Sequence, residues 1–239
     1  MQKINLKSVK IIVVGTVLMG LLLNFALAQK QAEPRFDFLV RSDFFSAFAG
    51  NKEALQRGMA KCEEKLKTEP NNADALVWHG AGLMFTAASL FQKGDFEKGT
   101  AMYQQGETEM TKAKELHPKD LSILVARAPF YVTYSRFVPN KEQKSEMLRK
   151  AMEDYEEAYR QQESKLATLS EHSRGELLFG LTEAYLRSGG TENRAKAEVL
   201  LQKLLNEKTY AEEADKWLKA APESKETTFF HKCIGCHVQ

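Results

Sequence analysis

The chain has 239 residues, with 34 Lys and Arg against 32 Asp and Glu, a formal net charge of +2, and three cysteines. So balanced a charge excludes the basic footprint that nucleic acid or an anionic membrane surface requires. The length suffices for one large core or one elongated domain.

The first 28 residues read as an export signal. Lys3, Lys7 and Lys10 form a positive start, Ile11 to Phe25 is almost continuously apolar, and Ala26-Leu27-Ala28 is the small-x-small pattern of a signal peptidase site. The alternative is an uncleaved anchor, because 18 residues from Ile11 to Ala28 are just enough to span a bilayer. Cleavage is the expectation, and it leaves 31 basic and 32 acidic residues in an oxidising compartment such as the periplasm. Membrane contact is expected only if the segment stays attached.

From residue 35 onward apolar residues recur at helical spacing and alternating β-branched runs are absent, so the expected fold class is all-α. Breaks are expected at Gly50-Asn51, Pro70-Asn71-Asn72, Gly94-Asp95, His117-Pro118, Pro139-Asn140, around Ser170, at Gly189-Gly190 and at Pro222. They divide the segment into about eight helices in antiparallel pairs. Ser173-Arg174-Gly175-Glu176 has the form of a capping box starting a helix. Ala211 to Leu218 reads as a terminal helix with Trp217 closing the core, and 219–228 as a polar linker.

The pairs look like copies of one unit. Glu69-Pro70-Asn71-Asn72-Ala73-Asp74-Ala75-Leu76-Val77 is echoed 48 residues later by His117-Pro118-Lys119-Asp120-Leu121-Ser122-Ile123-Leu124-Val125, and the small residue Gly80 recurs as Ala128 and Gly180. With Leu76, Gly80, Leu83 and Pro118 in one unit and Leu177, Gly180, Tyr185 and Ala197 in the last, residues 35–218 resemble the tetratricopeptide repeat (TPR). The family's repeat is 34 residues, shorter than the 48 seen here, and longer helices such as Ala73 to Phe91 and Phe96 to Leu116 account for the excess. The resemblance implies antiparallel helical hairpins stacked as a TPR-like solenoid that binds protein partners, with redox proteins or a second copy of the chain among them. An unrelated helical bundle is the alternative.

The chemistry is concentrated in residues 229–239, where Cys233-Ile234-Gly235-Cys236-His237 is a C-x-x-C-H motif. Two thiols at this spacing can add to the two haem vinyls, and the adjacent histidine can ligate the iron. Thr228 to His237 resembles the first helix of a class I cytochrome c, with Phe229 or Phe230 and Gly235 at positions where that family packs the haem. The resemblance implies one covalent haem c, thioether bonds from Cys233 and Cys236, and His237 as proximal ligand. The rest of a cytochrome domain, with its methionine ligand, does not follow. The haem is therefore expected on a flexible tail that must find cover on the helical array, a second copy or a partner. His79, His172 and His231 are the distal candidates considered, beside His117 at a helix end.

Other readings of the motif are a zinc site completed by His231, a thiol-disulfide centre, and a structural disulfide. Met59, Met84, Met102, Met110, Met147 and Met152 recur at core spacing and read as packing, and Cys62 as a small buried residue. No phosphate loop or paired-carboxylate pocket is apparent, so an electron carrier or interaction protein is favoured over an enzyme. The rival to the electron carrier is an exported scaffold or adaptor, and a haem enzyme or gas sensor with an open iron site is the third reading.

Overall fold

A computed structural model describes residues 35–138 and 140–220. The signal-like segment, the linker beyond Ala220 and the C-x-x-C-H segment, including His231, lie outside the described residues. Among the described residues all regular structure is helical: α1 (Phe36–Phe48), α2 (Lys52–Thr68), α3 (Ala73–Gln92), α4 (Phe96–Leu116), α5 (Leu121–Ser135), α6 (Lys141–Gln162), a 3-10 segment (Glu163–Thr168), α7 (Glu171–Ser188), α8 (Thr191–Leu204) and α9 (Ala211–Lys219). No described helix is long and apolar enough to cross a membrane.

The helix starts follow from short polar side chains that can accept from the orphan amides of a first turn. Asn51 accepts from Ala54 N, Asn72 from Ala75 N, Asp120 from Ser122 N and Asn140 from Gln143 N, all at 2.8–3.0 Å. The expected capping box at Ser173 is displaced. Ser170 is the cap, its hydroxyl accepting from Ser173 N at 3.1 Å, so Ser173 lies within the first turn of α7. Glu176 is consequently not a capping residue; its carboxylate reaches Tyr210.

Helices pack in consecutive pairs, α1 with α2, α3 with α4, α5 with α6 and α7 with α8, and α9 covers α8. The first helices of successive pairs also touch, α1 on α3, α3 on α5 and α5 on α7. Phe48 meets Phe85 and Phe130 with ring centroids 5.1 Å away in each case, an aromatic seam across α1, α3 and α5. At the far end Trp217 is 1 % exposed and stands edge-on to Phe179 at 5.0 Å, as a core-closing residue should. Met84, Met110 and Met147 are buried and Met59 and Met152 pack against the core, in keeping with a packing role.

The small positions do not all do the same thing. Gly80 permits the close crossing of α3 and α4, where it faces Gly106. Gly180 instead makes room for the Tyr155 ring of α6, the second helix of the preceding pair.

Candidate functional site

The C-x-x-C-H motif lies outside the described residues, which instead show the surroundings of the histidines at positions 79, 117 and 172. His79, from the apolar helix α3, points between α2 and α4. Its side chain is 9 % exposed, with Nδ1 2.6 Å from Glu109 Oε2 and Nε2 3.8 Å from Glu63 Oε1. Gln105 Nε2 donates to the other Glu109 oxygen at 2.9 Å, so the half-buried carboxylate is itself held. This is a satisfied interior histidine, the arrangement that a polar group needs to be tolerated there.

Cys62 lies in the same region, fully buried on α2. Burial, reinforced by the negative charges of Glu109 and Glu63, pushes its thiol up to about 12. A thiol held protonated at neutral pH is neither a nucleophile nor a good metal ligand. Among the described residues, no group of three or more His, Cys, Asp or Glu is arranged to hold a metal ion.

His117 caps the C-terminus of α4, exposed, its backbone amide donating to Ala113 O at 3.1 Å. It lines a shallow cleft of about 430 Å³ with Glu69, Asn72, Asp74 and Asp120, where α2 turns into α3 and α4 into α5. All three of those carboxylates are already engaged: the Ser122 hydroxyl lies 2.6 Å from Asp120 Oδ1 and 3.1 Å from Asp74 Oδ1, and Glu69 accepts from Lys65 Nζ at 2.6 Å and Asn72 Nδ2 at 2.9 Å.

His172 differs from both. The displaced cap places it on the first turn of α7 rather than in a loop, with its side chain 41 % exposed. Its Nδ1 is 3.2 Å from Tyr210 Oη, and that hydroxyl donates to Glu176 Oε1 at 2.9 Å. The Tyr210 ring lies flat against α7 because residue 175 is glycine; a Cβ there would overlap it. Glu176, Tyr210 and His172 thus form a chain that ties α7 to the segment leading into α9.

Several charged groups prove to be interior. Asp154 is fully buried and accepts from Arg127 Nε at 2.6 Å and Nη2 at 3.0 Å, with Lys114 Nζ 3.1 Å away. Burial works against the Arg127 charge, but the hydrogen bonds and charge of Asp154 outweigh it and hold the guanidinium above its ordinary value. Glu183, 2 % exposed, accepts from Arg136 Nε at 3.0 Å, and Ser135 Oγ accepts from Arg187 Nε at 3.2 Å. Arg127 stands within an otherwise apolar helix, a signal that could have been read; Asp154 sits among Glu153, Glu156 and Glu157, where nothing distinguishes it. These pairs join neighbouring helices and expose no reactive atom, so they are structural. Comparison with protein-family models, with curated proteins and with solved structures finds no match to this chain.

Proposed function

We propose that this is an exported, TPR-like protein that carries one covalent haem c on its C-terminal segment and serves in electron transfer within a protein assembly. The observation that carries the reading is the C-x-x-C-H motif in a chain with an export-type N-terminus, the pairing that haem attachment chemistry requires. Cys233 and Cys236 would hold the group by thioether bonds and His237 would ligate its iron; once bound, it supplies a one-electron couple. The donor set fits, because two thiols and an imidazole in this spacing are what attachment uses. Packed helix pairs in sequence, with first helices in mutual contact, support a solenoid role in positioning the tail against protein partners.

The test is production of the full chain alongside c-type maturation machinery, followed by haem staining of a denaturing gel. A stained band that disappears in Cys233→Ala/Cys236→Ala is expected. A colourless wild-type band would end the electron-carrier reading in favour of the adaptor. The adaptor reading has its own support in the buried core of the described residues, where Asp154 pairs with Arg127 and Glu183 with Arg136.

A further inference from the structure

We infer that His79 is a proton-operated clamp: a second proton on its ring draws Glu63 of α2 onto α3, and loss of that proton releases it. The inference is independent of the haem reading, since every residue it uses lies on α2, α3 or α4.

The argument starts from the inner ring nitrogen. Nδ1 stands 2.6 Å from Glu109 Oε2, and the other oxygen of that carboxylate accepts from Gln105 Nε2 at 2.9 Å. An ionised carboxylate has no proton to give, so Nδ1 carries one. In the neutral ring the lone pair then sits on Nε2. That nitrogen faces Glu63 Oε1 at 3.8 Å, too far for a hydrogen bond and with lone pair set against carboxylate. A second proton reverses the sign of this contact. The ring becomes a cation between carboxylates of two different helices, and Glu63 is attracted where it was repelled.

Burial assigns the two nitrogens different parts. Glu109 is 16 % exposed and holds the ring from inside, whereas Glu63 is 56 % exposed, so the Nε2 side of the ring is the one that solvent protons reach. The remaining groups around α3 leave this pair in control. On α2 the Cys62 thiol is held protonated by burial, and Lys61 is drawn to Asp43 at 2.7 Å. On α1 Asp43 is engaged by Lys61 and Arg57, and on α5 Arg127 is engaged by Asp154. Among the described residues, the ion-pair partners of His79 within 4 Å are Glu63 and Glu109. The attraction to Glu63 exists only with the doubly protonated ring. Its contribution to stability is therefore present on the acid side of the ring's titration and lost as pH rises through it.

The experiment uses the full chain and two readouts. Long-range proton–nitrogen NMR correlation of the His79 ring should show Nδ1 protonated at pH 8 and Nε2 gaining its proton by pH 5.5. Urea unfolding followed by circular dichroism should place the midpoint of Glu63→Gln about 0.2 M below wild type at pH 5.5, the size expected of a half-exposed ion pair, and at or above wild type at pH 8. Glu64→Gln removes the same charge one residue along α2 and should show no such crossover. In a His79→Gln background the pH 5.5 effect of Glu63→Gln should vanish. An Nε2 with the same protonation at both pH values would overturn the clamp even if His79→Gln does not fold. So would a Glu63→Gln effect that is missing at pH 5.5, is as large at pH 8, or is matched by Glu64→Gln.

Discussion

Gly80 and Gly106 face each other across the α3–α4 crossing so closely that a Cβ on either would lie 2.6 Å from the other's carbonyl oxygen. Backbone cannot rotate aside as a long side chain can. Gly80→Ala is therefore expected to destabilise the fold by about 1–3 kcal/mol from overpacking, offset by up to about 1 kcal/mol of helix propensity. Urea unfolding followed by circular dichroism measures this, and a more stable variant would show that the two helices can separate without loss.

Removing the Asp154 carboxylate should be among the most damaging changes. Asp154→Ala strands the Arg127 guanidinium, 4 % exposed, and leaves Lys114 without its interior partner. A loss of about 3–5 kcal/mol is expected, because an uncompensated buried charge costs more than the pair contributes. Arg127→Met combined with Asp154→Leu should recover much of it, which equilibrium unfolding of the single and double variants would reveal.

Cys62 should be chemically silent in the native protein. With its thiol raised to about 12 by burial and by Glu109 and Glu63, it is protonated at pH 8. Mass spectrometry after iodoacetamide treatment should find it unmodified natively and alkylated in denaturant. Rapid native alkylation would contradict the burial.

Asp43 supplies a pH dependence. Burial alone would raise its carboxyl, but hydrogen bonds from Lys61 at 2.7 Å and Arg57 at 3.1 Å, with their charges, leave it below the ordinary carboxylate value. A lowered folded-state value means the contribution is complete above the unfolded pKa of about 4 and is lost as pH falls through the folded one. Asp43→Asn should lower the melting temperature at pH 6 and converge with wild type as pH falls through the lowered folded-state value. Equal melting temperatures at pH 6 would show that the Asp43 contacts contribute nothing.

Trp217→Ala removes the ring that closes the α7–α8–α9 end against Phe179. A loss of about 3–5 kcal/mol is expected. Because Tyr210 enters the same helix, the variant should also release His172 from its hydroxyl partner, visible as a change in the His172 ring signals by NMR.

The helices were legible because their information is local. Asn51, Asn72, Asp120 and Asn140 each meet an amide two or three residues away, and the apolar spacing between them shows directly in the chain. Phe96–Leu116 matches its expected limits, and Trp217 closes the core as its position in the last helix suggested. The cap of α7 was misplaced because Ser170 and Ser173 are chemically equivalent candidates, and backbone conformation selects the first.

Sequence alone determined the all-helical class, most of the helix starts and the presence of the C-x-x-C-H motif, since each depends on neighbours within a turn or two of chain. Tertiary structure alone decided which charges are interior, that Gly180 serves the Tyr155 of another helix pair, and that His79 is held between Glu109 and Glu63. Residues 172, 176 and 210 likewise become one hydrogen-bonded chain only when α7 and the approach to α9 come together. Hydrogen bonds and close packing act over about 3–4 Å, and partners on different helices reach that distance only through the fold.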